Sequence, residues 1–303
     1  MSAGLGGELA ALGGALLWAI ASILYRRAGK QVPPRELNLL KGLLGAGLLA
    51  LTAWALCDPF PGARPWAIGL LLLSGALGIG LGDTAYFQAL NDLGARQALL
   101  IEVLAPPAAA LIAWAALGEA LRLTAWSGIV LTVAGVAWVV TERGGTGEDT
   151  GPSPRAHRAR GIGAGLVAAL AQAGGVVLSR AALDGTQVSP LWSAVLRLAA
   201  GAVVLLIWLA AARRSLGSLR IGQDRGRPWG TVVGAILLGT YLALWLQQVS
   251  LQRVPAGIAQ ALFATSPLFV LPLAAWSGER VSLRAILGVV VALGGVGLLL
   301  VGS

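Results

Sequence analysis

The sequence predicts an all-α polytopic membrane protein whose ten transmembrane helices form two inverted five-helix repeats. Three observations lead to this fold class. The residues are 57% hydrophobic and only 12% charged, whereas soluble domains carry about 25% charged residues. The apolar residues form runs near the length that crosses about 30 Å of hydrocarbon as a helix. The second half of the chain also repeats the pattern of the first.

Ten apolar runs account for nearly the whole chain. No strand-like alternation is present, and in hydrocarbon every backbone polar group needs a partner within its own segment, so each run is predicted to be a helix. The first run lacks a basic start and ends at Tyr25-Arg26-Arg27, so we expect it to remain as a spanning helix rather than to be cleaved. The expected spans are roughly 8–25, 38–57, 66–90, 97–117, 123–141, 161–182, 190–211, 229–251, 256–277 and 283–301.

A duplication is visible when the two halves are aligned. Alanine and leucine match often by chance in this composition, but proline, glycine and charged residues in one register do not. With shifts of 154 to 160 positions, the aligned pairs are Trp18/Gln172, Arg26/Arg180, Lys41/Arg197, Pro107/Pro267, Gly118/Gly278, Glu119/Glu279, Gly128/Gly288 and Gly135/Gly295.

The polar stretch 142–160 is predicted to be a flexible linker, because it is rich in Gly, Ser, Pro and charge. It separates a first repeat at 1–141 from a second at 161–303. Since five is an odd number, the two repeats must enter the membrane from opposite sides. Inverted repeats of this kind recur in transporters, which bind substrate near the midplane between the halves.

The charged and reactive residues exclude several classes of function. The net charge of +9 comes mostly from loops, so we expect contact with anionic lipid head groups of the bilayer and no nucleic-acid partner. Cys57 and His157 are the only residues of their types, so no disulfide, metal site or cofactor is expected. No Gly-x-x-x-x-Gly-Lys-Ser/Thr motif is present, which leaves an ion gradient or exchange as the drive.

Over nearly its full length the chain resembles the EamA type of the drug/metabolite transporter superfamily. The residues that carry the resemblance are Trp18, the stretch 89–100, Pro106-Pro107, Gly118-Glu119, Gly128, Gly135, Pro267, Gly278-Glu279, Gly288 and Gly295. The resemblance implies a ten-helix transporter with a central cavity for a small metabolite. The family often has a glutamate directly before the fourth-helix proline. This chain has Ala105 there and Glu102 about one turn earlier, on the same face.

The orientation in the membrane has two opposed indications. The loops after helices 1, 3, 5, 7 and 9, with Lys41, carry 17 Lys and Arg residues, and the other loops carry 4. The positive-inside rule then places both termini outside. The family resemblance implies both termini inside, and both alternatives stay open.

Charged residues inside the spans are the sharpest candidates for a binding or coupling site. Each costs about 2.5–3.5 kcal/mol at a helix centre on insertion scales, so such residues face a cavity or a partner. Lys41 and Arg197 predict a cationic lining for an anionic substrate, with snorkelling to the interface as the alternative. Asp83 and Glu102 are candidates for proton coupling. Their alternative is an ion pair with Lys41 or Arg197 that only orients helices.

Four uncharged residues are predicted to contribute to substrate recognition: Trp18, Tyr86, Gln172 and Tyr241. The alternative is interhelical hydrogen bonding or an interfacial aromatic belt. Four further polar residues of helices 8 and 9 are weaker candidates: Gln247, Gln248, Gln260 and Thr265.

Other repeated residues have structural explanations. Glu119 and Glu279 are predicted to pair with Arg122 or Arg280 at a helix end. Gly78/Gly82 and Gly161/Gly165 are predicted to let helices approach closely. Pro106, Pro107 and Pro267 predict kinks, or hinges for gating.

The sequence therefore predicts a secondary active transporter that moves a small metabolite by alternating access, as a monomer or homodimer in the bacterial inner or plasma membrane. Lys41 and Arg197 favour an anionic or zwitterionic compound such as an amino acid, although nucleobases, sugars and drug-like cations also fit such a cavity. The alternatives are a non-transporting membrane scaffold and a lipid-modifying membrane enzyme. We expect no enzyme, because the only histidine lies in the linker and no Gly-x-Ser-x-Gly is present.

Overall fold

The computed structural model of the chain describes residues 2–29, 34–60, 64–141, 155–211, 229–270 and 283–302. The regular secondary structure of these residues is helical. The helices are α1 (Ser2–Gly29), α2 (Pro34–Ala55), α3 (Pro65–Gly75), the π-helix π1 (Ala76–Gly82), α4 (Asp83–Glu102), α5 (Ala105–Leu117), α6 (Leu123–Thr141), α7 (Arg155–Leu183), α8 (Pro190–Ala211), α9 (Trp229–Ala235), the π-helix π2 (Ile236–Leu242), α10 (Ala243–Arg253), α11 (Ala256–Phe263) and α12 (Leu283–Gly302).

The helices confirm the predicted fold class. Within the described part of the chain, seven helices are long and apolar enough to cross a membrane, judged by length and composition. Three shorter apolar helices lie at Ala105–Leu117, Ala256–Val270 and Ile286–Val301. Together they correspond to the ten expected spans, and the chain is an integral multi-pass membrane protein.

The connections divide the bundle into two faces. α1 begins at the face that also holds residues 56–60 and the turns 118–122, 184–189 and 254–255, which we call the N-terminal face. Contacts across it include a 3.2 Å hydrogen bond from Trp192 Nε1 to the Asp58 carbonyl. α6 ends and α7 begins at the opposite face, which we call the linker face. The first repeat thus begins at the N-terminal face and the second at the linker face, as an inverted repeat requires.

Two segments that were predicted to lie outside the spans are helical in the structure. Residues 91–96, between the third and fourth spans, belong to α4, and residues 155–160 of the predicted linker belong to α7. These parts of α4 and α7 contact and stabilise each other. Arg160 donates from Nε and Nη2 to the carboxylate oxygens of Asp92 at 2.8 and 2.7 Å. Tertiary contact therefore extends helices through polar residues that local sequence reads as loop. Residues 142–154 of the predicted linker lie outside the described residues.

The prolines coincide with interruptions of the helical hydrogen bonding, which fall just before them. α4 ends at Glu102 and α5 begins at Ala105, with proline in its first turn, where the missing N–H would have no helical partner anyway. In the second repeat α11 ends at Phe263, and residues 266–270 are helical again. The predicted kinks are therefore breaks at equivalent places in the two repeats.

The two π-helices are a second duplicated irregularity, and nothing in the sequence analysis anticipates them. π1 covers Ala76–Gly82 and π2 covers Ile236–Leu242, 160 positions later. This is the same shift that aligns the prolines and glycines. π-helical turns are uncommon and are frequent at functional sites. We therefore expect a functional site beside the two π-helices, in the interior of the third and eighth spans.

Glycines bring α6 and α12 together. A Cβ at Gly135 would lie 2.7 Å from the Gly288 carbonyl oxygen, and one at Gly128 would lie 2.9 Å from that of Gly295. The repeated glycines at 128, 135, 288 and 295 thus form one reciprocal contact between the last helices of the two repeats. The predicted close approach at Gly161 and Gly165 is also present, against α4 side chains.

Replacing Gly135 by alanine is expected to destabilise the protein by about 1–3 kcal/mol, the usual cost of overpacking. The added methyl group would meet backbone of α12, which cannot move aside as a side chain can. Gly297→Ala is the matched control on the same pair of helices, because nothing lies within 4 Å of its Cβ position. Thermal unfolding in detergent should separate the two variants. If the two variants unfold at the same temperature, α6 and α12 can move apart without a loss of stability, and the predicted close contact does not stabilise the protein.

Glu119 does not pair with Arg122, so that prediction is wrong. Its Oε1 accepts a 2.7 Å hydrogen bond from Arg180 Nε, and its Oε2 accepts one at 3.0 Å from the backbone N–H of Ala256, the first residue of α11. Arg122 is the arginine nearest to Glu119 in the sequence, but the fold brings α7 and the α10–α11 turn to this helix end. Glu279 and Arg280 lie outside the described residues.

Cys57 offers a direct test of orientation, because it is exposed at the N-terminal face. If the positive-inside count holds, a membrane-impermeant maleimide should label Cys57 in intact cells. Cys57→Ser supplies the unlabelled background. Labelling that appears only after the membrane is opened would place the N-terminal face inside, as the family resemblance implies.

Candidate substrate cavity

A cavity of about 160 Å³ lies inside the bundle. This is the space of about five waters at ~30 Å³ each, which suits a small metabolite. Both repeats contribute to the lining, and Val136 and Val140 near the end of α6 place the cavity toward the linker face. Six of the predicted site residues line it: Trp18, Lys41, Asp83, Glu102, Gln172 and Arg197.

The π-helices and the helix breaks, each present in both repeats, border this cavity. Ile79 of π1 and Gly239 and Thr240 of π2 are in the lining, and so are Val103 at the first helix break and Ala264 at the second. A π-helical turn or a helix break changes which side chains face inward. The irregular backbone of the two repeats therefore converges on one interior space, as expected for backbone that lines a cavity in a membrane protein.

Lys41 and Asp83 form an ion pair in the lining. Lys41 Nζ lies 2.9 Å from Asp83 Oδ2, and the side chains are 11% and 18% exposed. Lys41 Nζ also lies 6.0 Å from the centroid of the Trp18 ring, within cation–π range. Lys41 therefore contacts a carboxylate and an aromatic ring instead of snorkelling to the interface. For Asp83, the structure contains the ion pair with Lys41 that was predicted as the alternative to proton coupling.

Arg197 is the buried cation of the second repeat. It is 1% exposed, and its Nε and Nη1 have no hydrogen-bond partner among the described residues. A Cβ at Gly78 would lie 3.7 Å from Arg197 Nη2 and 3.3 Å from Gln172 Oε1, so these two polar groups meet at the side-chain-free surface of π1. Asp83 is within electrostatic reach of the guanidinium but forms its ion pair with Lys41.

The sequence explains why the two equivalent cations differ. The shift of 160 that superposes π1 on π2 places Ala243 opposite Asp83. The first repeat thus supplies Lys41 with a carboxylate just after its π-helix, whereas the second repeat has an alanine without a carboxylate at the equivalent position. The pseudo-symmetry of the site is broken at this position, and one cation is left without a counter-charge of its own repeat.

Glu102 is the last residue of α4 and lies at the first helix break. It lines the cavity and interacts electrostatically with Asp83. No ion pair of Glu102 is found among the described side chains. The four charged groups of the lining are two cations and two carboxylates, and one of each remains after the Lys41–Asp83 pair is counted.

Two predicted site residues do not line the cavity. Tyr241 donates or accepts a 2.8 Å hydrogen bond with Thr52 Oγ1 and its ring lies beside Trp245, so it joins helices as the alternative reading had it. Tyr86 is outside the lining but within electrostatic reach of Glu102 and Asp83. The face of a single helix does not reveal which neighbouring helix it will contact, so the sequence alone could not place these two side chains relative to the cavity.

Other polar residues replace them in the lining. Gln247 and Gln260 line the cavity, although the sequence made them weaker candidates than Tyr241. Gln248 is buried instead between α7 and α8, where Ser179 and Ser193 donate hydrogen bonds to its Oε1 at 2.6 and 2.8 Å. Two adjacent glutamines thus have different roles, which depend on the rotation of α10 after π2.

The fold and the cavity define a multi-pass membrane protein with a charged interior site. The model of the EamA-like transporter family matches residues 5–141 and 159–301. The chain therefore belongs to the EamA-like transporter family, within the drug/metabolite transporter superfamily. Members of this family are generally not enzymes.

The chain is also similar to two further proteins. An uncharacterized protein of Pseudomonas aeruginosa is 32% identical over 139 residues, which are 46% of this chain and 47% of that protein. The match thus spans about half the length of the relative. A solved crystal structure of a protein aligns with a TM-score of 0.78 and 22% identity, covering 100% of this chain and 97% of that one. This likeness shows the fold alone.

Proposed function

We propose that the protein is a secondary active transporter that moves a small anionic or zwitterionic metabolite by alternating access between the repeats 1–141 and 161–303. The observation that carries the proposal is Arg197, a buried cation in the cavity lining with two unpartnered nitrogen atoms. A buried charge without a counter-charge is costly. A bound carboxylate or phosphate group would supply one.

The rest of the lining favours a zwitterion over a simple anion. Glu102 borders the same cavity and has no ion-pair partner among the described residues. A ligand that carries both signs of charge would satisfy Arg197 with its anionic group and Glu102 with its cationic group. Gln172, Gln247 and Gln260 add hydrogen-bonding groups. The apolar part of the lining, for example Ile79, Leu198 and Phe263, would cover a short apolar side chain.

Ion coupling is the remaining part of the proposal. Asp83 is already paired with Lys41, which leaves Glu102 as the carboxylate able to exchange a proton or a cationic ligand within the cavity. Carboxylates inside a membrane protein commonly serve as proton relays. The protein would then exchange substrate against protons.

A comparison of metabolites inside and outside cells tests the proposal. Cells that overproduce the wild type are compared with cells that carry the empty vector and with cells that produce Arg197→Gln, at matched amounts of protein in the membrane. We expect one class of zwitterionic or anionic compound to shift with the wild type alone. A shift confined to cations or to uncharged compounds would refute the proposed substrate class.

A further inference from the structure

We propose that Glu119 and Arg180 form the gate that closes the cavity at the N-terminal face, and that their ion pair breaks when the cavity opens to that face. The inference rests on the proposed alternating access. The pair joins the two repeats, because Glu119 follows α5 and Arg180 lies on α7. Contacts between repeats are the ones that must change when one half moves against the other.

The pair is the centre of a small polar network. Arg180 Nε lies 2.7 Å from Glu119 Oε1, and Arg180 Nη1 donates to the carbonyls of Leu251 and Gln252 at 3.0 and 3.2 Å. Glu119 Oε2 accepts the backbone N–H of Ala256 at 3.0 Å. One arginine thus binds the end of α10, and one glutamate binds the start of α11. The network fastens the α10–α11 turn to the ends of α5 and α7.

The network stands between the cavity and the N-terminal face. On α7, Gln172 lines the cavity and Arg180 follows eight residues later, about 12 Å nearer the N-terminal face at 1.5 Å per residue. On α11, Gln260 lines the cavity and Ala256 precedes it by one turn. The cavity and the network are therefore stacked along the same helices.

A buried apolar layer lies between them. Ala109 and Ala113 of α5, Val176 and Val177 of α7 and Ala259 of α11 belong to one buried cluster. Each lies between a cavity residue and a network residue of its own helix. The small side chains allow α5, α7 and α11 to close tightly, and separating these helices would open a direct path from the N-terminal face. The Glu119–Arg180 pair is the polar contact that holds them together.

The burial of the pair makes it a stronger fastening than a surface ion pair. Arg180 and Glu119 are 14% and 13% exposed, whereas Asp184, which also contacts Arg180 at 3.4 Å, is 70% exposed. Exposed pairs contribute little, and buried pairs are costly to break by removal of one partner. Asp184 is therefore a matched control, since it touches the same arginine from the solvent side. The position equivalent to Arg180 in the first repeat holds Arg26, and the position equivalent to Glu119 in the second repeat holds Glu279.

Cysteine labelling tests the gate without a known substrate. A cysteine is introduced by Ala259→Cys, in the apolar layer, in a Cys57→Ser background. A membrane-impermeant maleimide is applied to vesicles of both orientations. With the gate intact we expect slow labelling from the N-terminal face. Glu119→Gln and Arg180→Gln should each raise the labelling rate about tenfold, the effect of one lost interaction of ordinary strength. Asp184→Asn should change it less than about twofold.

A second reporter separates gating from loosening of the whole fold. Ala202→Cys places the reporter at a buried site of α8, which belongs to another cluster. Its labelling should stay slow in every gate variant. Equal labelling of the Ala259→Cys reporter in Glu119→Gln, Arg180→Gln and Asp184→Asn would overturn the gate, and so would a matching rise at Ala202→Cys. If labelling responds as expected but no metabolite shifts, the proposed substrate class fails and the gate stands.

Discussion

Arg197→Gln is expected to abolish transport of the substrate while leaving the protein at least as stable as the wild type. The lost contact is a charge-assisted hydrogen bond in a buried site, and removal of one partner of such a pair costs about 3–5 kcal/mol. The apparent KM for the anionic or zwitterionic substrate should therefore rise by about 100-fold or more. The empty protein loses an uncompensated buried cation, so its stability should not fall.

Lys41→Gln is the matched control, since Lys41 holds the equivalent position of the first repeat. Lys41 is paired with Asp83 at 2.9 Å, and its removal leaves a carboxylate without that partner. We expect Lys41→Gln to lower the unfolding temperature and Arg197→Gln not to lower it. Thermal unfolding in detergent, with radiolabelled substrate uptake into proteoliposomes, measures both quantities. If Arg197→Gln destabilises the protein as much as Lys41→Gln does, Arg197 has a structural role and the anion site is wrongly placed.

Glu102→Gln is expected to separate transport from its driving gradient. Glutamine keeps the shape of the side chain but cannot exchange a proton. In proteoliposomes, uptake driven by a pH gradient should fall by at least about tenfold, within the range of ordinary coupling free energies. Exchange of labelled for unlabelled substrate without a gradient should fall less than gradient-driven uptake, because Arg197 still binds the anionic group of the substrate. Glu102→Asp, which retains a titratable group, should keep part of the gradient-driven uptake.

The two activities distinguish coupling from binding. If Glu102→Gln loses exchange and gradient-driven uptake to the same degree, Glu102 only binds the cationic group of the substrate and does not carry the coupling proton. Asp83→Asn provides the reference for a general defect, because it breaks the ion pair with Lys41. It should weaken both activities and the stability.

Most of the charged site could be predicted from the sequence. Lys41, Asp83, Glu102 and Arg197 were chosen because a charge inside a span must face a partner or a cavity, and all four line the cavity. The alignment of the repeats also paired Lys41 with Arg197. It could not say that one would be ion-paired and the other not, because this depends on which side chain of a neighbouring helix lies within reach.

The uncharged part of the site was less predictable. An aromatic or amide side chain in a span is equally consistent with a cavity and with a contact between helices. Tyr241 bonds to Thr52, and Gln247 takes a place in the lining. The π-helix before α10 rotates the residues that follow it, and a hydrophobicity pattern contains no sign of that rotation.

Hydrophobicity and the internal duplication were sufficient to predict the membrane class, the ten spans and the inverted repeats. These properties follow from the cost of placing polar groups in hydrocarbon, which each segment meets locally. Tertiary structure decided the partner of Glu119, the helical state of residues 91–96 and 155–160, the two π-helices, and the lack of an ion-pair partner for Arg197 among the described residues. They depend on contacts between segments far apart in the chain. The free energy of such contacts exceeds the local preferences that a sequence displays.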